Sequence, residues 1–329
     1  MALSDLAVFS EQAYSTAVEV LDYNVDLFNS ASLGTITLAS SSHQGDFSET
    51  AMFGMLGNIV KRRNPYGDGD VPEIAMRHIN EVSVKVAAGT RPVRIDNAWY
   101  AWILRSTQDA AAAFGQMLAQ QMLEDMVNSA VGAGTAALSS HPNLIFDATA
   151  KTEKTASWVG LTRAAALFGD QSANIATWVM HSDVVTDLYV ANLTNVERLF
   201  TYGAVNVSRD PFGRPLIVSD NALLKTAGAS GAANSYNVLG LVPGAINVGQ
   251  NADFNANEDT RNGSENIKTT YQAEWSYQLG LKGFAWDKAT GGKAPNDAAI
   301  MQAANWDKFV TSDRDLIGVM AKFNQAVAA

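Results

Sequence analysis

The sequence predicts an α+β fold, and three observations predict it. Residues 107–131 carry the strongest helical period in the chain: Ala110, Ala113, Phe114, Met117, Leu118, Met122 and Met126 recur at steps of three or four. The stretch NEVSVKVA alternates with a period of two, placing Val82, Val84 and Val86 on one face and Glu81, Ser83 and Lys85 on the other, as a half-buried strand requires. Residues 45–97, by contrast, are dense in breakers: Gly54, Gly57, Pro65, the Gly67-Asp68-Gly69-Asp70 turn, Pro72, Gly89 and Pro92.

In chain order, residues 6–28 follow an irregular helical pattern, and LGTITLASSSHQGDF then turns extended and polar. The excursion 45–97 has too little apolar content to build a core of its own. Long excursions inside compact domains usually have a task, and this one is expected to find its apolar partner on another copy of the chain. The helix over 107–131 would be ~37 Å long, with Asp109 favouring its first turn and Gly132 and Gly134 ending it. One stripe of that helix should be buried, its methionines filling core. A second helix over 155–168 presents Trp158, Leu161, Ala165 and Phe168 on one side. NIATWVM reads as a strand buried on both faces, and AVNVS and RPLIVSD as a hairpin. Residues 226–235 (TAGASGAANS) form a mobile loop with little to pack. YNVLGLVPGAINVG is strand-like, KTTYQAEWSYQLGLKGFAWD supplies two further strands, and a short helix at 296–304 precedes a closing strand.

Composition narrows the function classes. The 329 residues are 47% hydrophobic and 17% charged, which marks a folded chain of about two compact domains by length. No run reaches the ~20 apolar residues of a membrane span, and the N-terminus lacks the basic region and apolar core of a signal peptide. Zero cysteines exclude disulfides, thiolate metal sites and thiol nucleophiles. A net charge of −10 argues against a protein that grips phosphates. That charge is unevenly spread. Asp5, Glu11, Glu19, Asp22, Asp26, Asp46 and Glu49 all precede the first basic residues, Lys61, Arg62 and Arg63. An acidic leading arm and a basic cluster could attract each other within or between chains.

The searches for chemistry return architecture. His181, Ser182 and Asp183 are neighbours, so they cannot converge on one point as a triad must. Ser182 instead stands where a helix N-cap belongs, with Asp183 in the first turn. Gly132, Gly134 and Ala137 match G-x-G-x-x-A but follow a helix, the wrong context for cradling a phosphate. Asp253, Asn255, Asn257 and Asp259 imitate a calcium loop, yet Glu258 and Ser264 occupy the positions that need Gly and Glu, so a solvated polar turn is expected. His43, His78, His141 and His181 show no metal-ligand spacing, and neither a cofactor nor a metal is expected.

Several stretches resemble the major capsid proteins of tailed bacteriophages, the Hong Kong 97-like fold: WVMHSDVVTDL after a short strand, GRPLIVSDNALL, NVLGLVPGAINVG, LGLKGFAWD and NWDKFVTSDRDLIGVMAKFN. The resemblance covers nearly the whole chain and implies an N-terminal arm (1–44), an extended loop (45–97), a peripheral domain with a spine helix (98–169), an axial domain (170–266) and a return to the peripheral domain with the tail (267–329). It implies a structural subunit, not an enzyme, that assembles with itself into pentamers and hexamers in the host cytoplasm. Such a subunit would become part of the virion, with portal and decoration proteins and packaged DNA that is contained without specific binding, and no membrane. Because the arm begins at Met1, either a separate scaffolding protein or none is expected. Lys61, Arg62, Arg63, Val82, Val84 and Val86 are the candidates for contacts between subunits. An encapsulin shell of the same fold, and a serine hydrolase using Ser182 or Ser219 with His181, are the alternatives.

Overall fold

The computed structural model describes residues 3–41, 43, 45–53, 62–71, 73, 75, 78–96, 107–192, 197–202, 205–209, 213–228, 233–263, 265 and 268–326. The opening helix α1 (Leu3–Ala31) forms because Ala13, Ala17, Leu21, Asn24 and Phe28 recur at steps of three and four and are all buried. It stops where Leu33 (φ 53°) and Gly34 (φ 63°) turn left-handed. The Asn29 side chain then clamps the next strand to the helix end, donating to the Leu38 carbonyl (2.6 Å) and accepting the Leu38 N–H (2.9 Å).

Helix α2 (Thr107–Ser139) is longer than its sequence suggests, about 50 Å, because Gly132 and Gly134 do not end it. Neither glycine adopts a positive φ. A Cβ at Gly132 would lie 3.1 Å from the Met301 side chain, and one at Gly134 3.1 Å from Ile246 Cδ1. Missing side chains here let neighbours approach, and packing outweighs the poor helix propensity of glycine. The expected stripe also differs. Met117 is 60% exposed, whereas every residue from Ser129 to Leu138 is buried, so the helix enters the core end-on and is covered all round.

Two sheets flank α2. Among the described residues the first holds β1 (Ile36–Ser41), β2 (Phe47–Phe53), β3 (His78–Gly89), β4 (Val93–Asp96), β12 (Ile246–Asn251), β13 (Asn255–Arg261), β14 (Lys268–Leu281), β15 (Phe284–Trp286) and β16 (Trp306–Lys308). The second runs β5 (Ile145–Asp147), β17 (Gly318–Asn324), β11 (Ser235–Leu241), β6 (Thr177–Met180), β9 (Pro215–Val218), β8 (Val205–Arg209), β7 (Glu197–Tyr202), with β10 (Lys225–Thr226) beside β11. Helix α2 packs on β12 and β14 of one and β11 and β17 of the other. Helices α3 (Trp158–Ala166), capped by Ser157, α4 (Ser182–Asn192) and the short α5 (Asp297–Ile300), capped by Asn296, complete the fold. Of the loop expected over 226–235, Gly228 N–H donates to Asn234 Oδ1, and residues 229–232 lie outside the described residues.

The hub is β14. Its first half pairs with β13 and β4, its second half with β12 and β3. In that second half Val84 stands opposite Leu279 and Val86 opposite Tyr277. The excursion's main strand therefore adds to this chain's own sheet. Val84 is wholly buried, and Val82 and Val86 nearly so, within the same core as α2. The expectation that these valines wait for another subunit is corrected: the alternation was sound, but a long strand of the same chain, with Tyr277 and Leu279, supplies the partner. Among the described residues no helix is long and apolar enough to cross a membrane.

Candidate functional site

The His-Ser-Asp stretch sits between β6 and α4, and its geometry is that of a helix start. The helix begins one residue earlier than expected. His181 Nδ1 accepts the Asp183 N–H (3.1 Å), and the His181 carbonyl accepts the Val184 and Val185 N–H groups. The capping side chain is thus His181, not Ser182. Asp183 Oδ2 receives Lys225 Nζ (2.8 Å) and the Tyr236 hydroxyl (2.6 Å). The Lys225 and Tyr236 hydrogen bonds hold the Asp183 carboxyl below its usual range, while burial first and that hydrogen bond second push the Tyr236 hydroxyl up. This tie joins α4 to β10 and β11.

The two serines of the hydrolase alternative are each engaged locally. Ser182 Oγ lies 3.4 Å from the same Nδ1 that Asp183 N–H already occupies. Ser219 Oγ donates to Asn128 Oδ1 (3.1 Å) on α2. The calcium-like run is also corrected. Residues 255–261 form strand β13, so Asn255, Asn257 and Asp259 project outward in a row and do not curl around an ion. Asp253 is engaged instead by Lys85 (2.9 Å) and Ser276. Among the described residues no three potential ligands gather to hold a metal.

The remaining candidates are surfaces. Lys61 lies outside the described residues; Arg62 and Arg63 are exposed at the start of an irregular segment, 62–71, that is exposed throughout. Tyr66 in that segment is 97% exposed and Val71 59%. Helix α1 turns Glu11, Glu19, Asp22 and Asp26 to solvent, together with Tyr23 and Leu27. Sequence reading picked out both charge groups and missed the aromatic just after the basic one, because a lone tyrosine in a polar turn carries no pattern.

A groove also escaped the sequence. Its volume is about 630 Å³, and Phe114, Met117, Trp275, Tyr277, Asp125 and Asp297 line it. Burial raises the Asp125 carboxyl against a lowering hydrogen bond from Tyr277, and Trp275 Nε1 is buried with no acceptor among the described residues. Two carboxyls, an indole and a phenol thus share its walls with apolar side chains.

A family model described as Gp13-like, major capsid protein 13-like, matches residues 5–320. No curated protein matches the chain. The capsid of cyanophage Pam1 is similar in structure with a TM-score of 0.52 at 13% identity, covering 89% of this chain and 89% of that one. The capsid of Ralstonia phage GP4 gives 0.51 at 10% identity, covering 90% and 88%. The holo-SrpI encapsulin of Synechococcus elongatus gives 0.49 at 8% identity, covering 89% and 87%. The two phage structures share this chain's mixed α+β fold.

Proposed function

The chain belongs to the Gp13-like family of major capsid proteins, and from that premise we propose that it closes an icosahedral phage shell from pentamers and hexamers of itself around double-stranded DNA. Its work in this reading is structural, not catalytic. The observation that carries the proposal is the family match over residues 5–320, almost the whole chain. In the Hong Kong 97-like arrangement, 1–44 would be the arm, 45–97 the extended loop, 98–169 the peripheral domain, 170–266 the axial domain, and 267–329 the return and tail. The sheets themselves cross these divisions: β12 and β13 precede residue 266 and hydrogen-bond to β14 beyond it.

Physical support comes from what the chain leaves uncovered. With Val82, Val84 and Val86 satisfied internally, contact between copies falls to the exposed segment 62–71 and the acidic face of α1. Arg62 and Arg63 of one copy would face Glu19, Asp22 and Asp26 of another. Each such contact is modest in water, and closure of a shell multiplies many modest contacts. Net charge −10 suits a container whose DNA is neutralised by small cations. Portal, decoration and any scaffolding proteins would be further partners, and the virion its final location after assembly in the bacterial cytoplasm.

Sedimentation and electron microscopy of the purified protein test this. Rings of five and six subunits, or closed megadalton particles, are the expected result; a monomer at every concentration and salt overturns it. Nucleic acid inside native particles fits the phage reading, and a protein cargo would instead fit an encapsulin shell.

A further inference from the structure

Strand β13 is an alternating strand with one residue out of type. Its inner positions are Ala256 and Glu258, in phase with Phe254 just before it, while Asn255, Asn257, Asp259 and Arg261 face solvent. A two-residue period reserves the inner positions for apolar side chains, and Glu258 breaks it. Both Glu258 oxygens are buried with no hydrogen-bond partner among the described residues. Tyr271, opposite it on β14, has a buried hydroxyl with none either.

Helix α1 lies over this strand. The Tyr14 ring stacks on Phe254 (4.6 Å), Phe254 stacks toward Trp275 (6.1 Å), and Tyr271 meets Phe114 of α2 edge-on (5.0 Å). Phe114 in turn packs against Ala13 and Ala111, the contact between the two helices. Gln12 of α1 has a buried side-chain oxygen with no donor among the described residues. Among the described residues no cation offsets a negative charge there: Glu11, Glu19, Asp22 and Asp26 of α1 are exposed, as are Glu274, Arg261 and Arg94, which stands opposite Thr270, and Lys268 lies at the far end of β13 opposite Arg261.

We propose that Glu258 is a proton-controlled latch for the N-terminal half of α1, which the neutral carboxyl lets rest on β13 and the ionised carboxyl, drawing in water, releases. Burial alone raises this carboxyl from 4.5 to about 7. The sign follows: seating is fully present below the ordinary carboxylate range and is lost as pH rises through about 7.

Hydrogen–deuterium exchange of the full chain tests it, corrected for intrinsic rates. From pH 5.5 to 8.5, amides of residues 3–17 should lose protection by roughly thirtyfold, while those of β11 and β17 keep theirs. Glu258→Gln, neutral throughout, should hold the acid level of protection at pH 8.5; Glu258→Met provides the same comparison if the glutamine variant misfolds. Equal loss in wild type and the neutral variant, no loss in either, or loss spread in step through β11 and β17 would each overturn the latch.

Discussion

Gly318 has φ +151°, and a Cβ there would lie 1.8 Å from the Gly240 carbonyl oxygen. That oxygen belongs to a β11–β17 ladder and cannot step aside. Gly318→Ala should therefore cost about 3 kcal/mol or more, read as a large drop in melting temperature or loss of soluble protein. Asp183 makes a milder case. Its carboxyl is lowered by Lys225 first and Tyr236 second, so its contribution is present above the ordinary carboxylate range and fades as pH falls through the lowered value. Asp183→Asn should lose no more than about 1 kcal/mol at pH 7, because the group is partly exposed. In urea melts that difference should vanish under strongly acid conditions. The sequence located this helix start but credited Ser182 with the cap, since serine is the commoner capping type. Only the fold brings Tyr236 and Lys225 to Asp183 and turns the His181 ring onto Asp183 N–H.

At the scale of elements, the contact of α1 with α2 depends on Gly115, where a Cβ would sit 2.6 Å from the Ala13 carbonyl oxygen. Gly115→Ala should weaken that contact by about 1–3 kcal/mol, and Gly115→Leu should part the helices, seen as faster chymotryptic cleavage at Tyr14 and Tyr23. Periodicity gave α2 and β3, each with a face turned to a core, while α1 read as an irregular helix and β14 only as strand-like. It misplaced the end of α2, where glycines serve close packing, and it could not say which strand β3 would join. Pairing between residues this far apart leaves no local trace in the chain. Glu258 was readable in principle: a charged residue on the inner phase of an alternating strand is visible once that strand is recognised, and the calcium-like spacing hid it.

For the whole molecule, the uneven charge leads to an assembly prediction. Reversing Lys61, Arg62 and Arg63 to glutamate should reduce particle yield by an order of magnitude or so at low salt and change little at high salt, where surface pairs are screened anyway. Light scattering during assembly reads both arms. The family was legible from scattered hydrophobic phrases, whereas the contacts between copies were not, since a surface is defined by what it leaves uncovered. The exposed segment 62–71 follows β2 and precedes β3, and β3 is stitched along β14. A neighbour tugging on that segment along the strands loads the ladder in shear, all its rungs at once, and not by unzipping one after another. Pull applied at residues 62–71 is thereby carried into β14, the strand on which most of that sheet is paired.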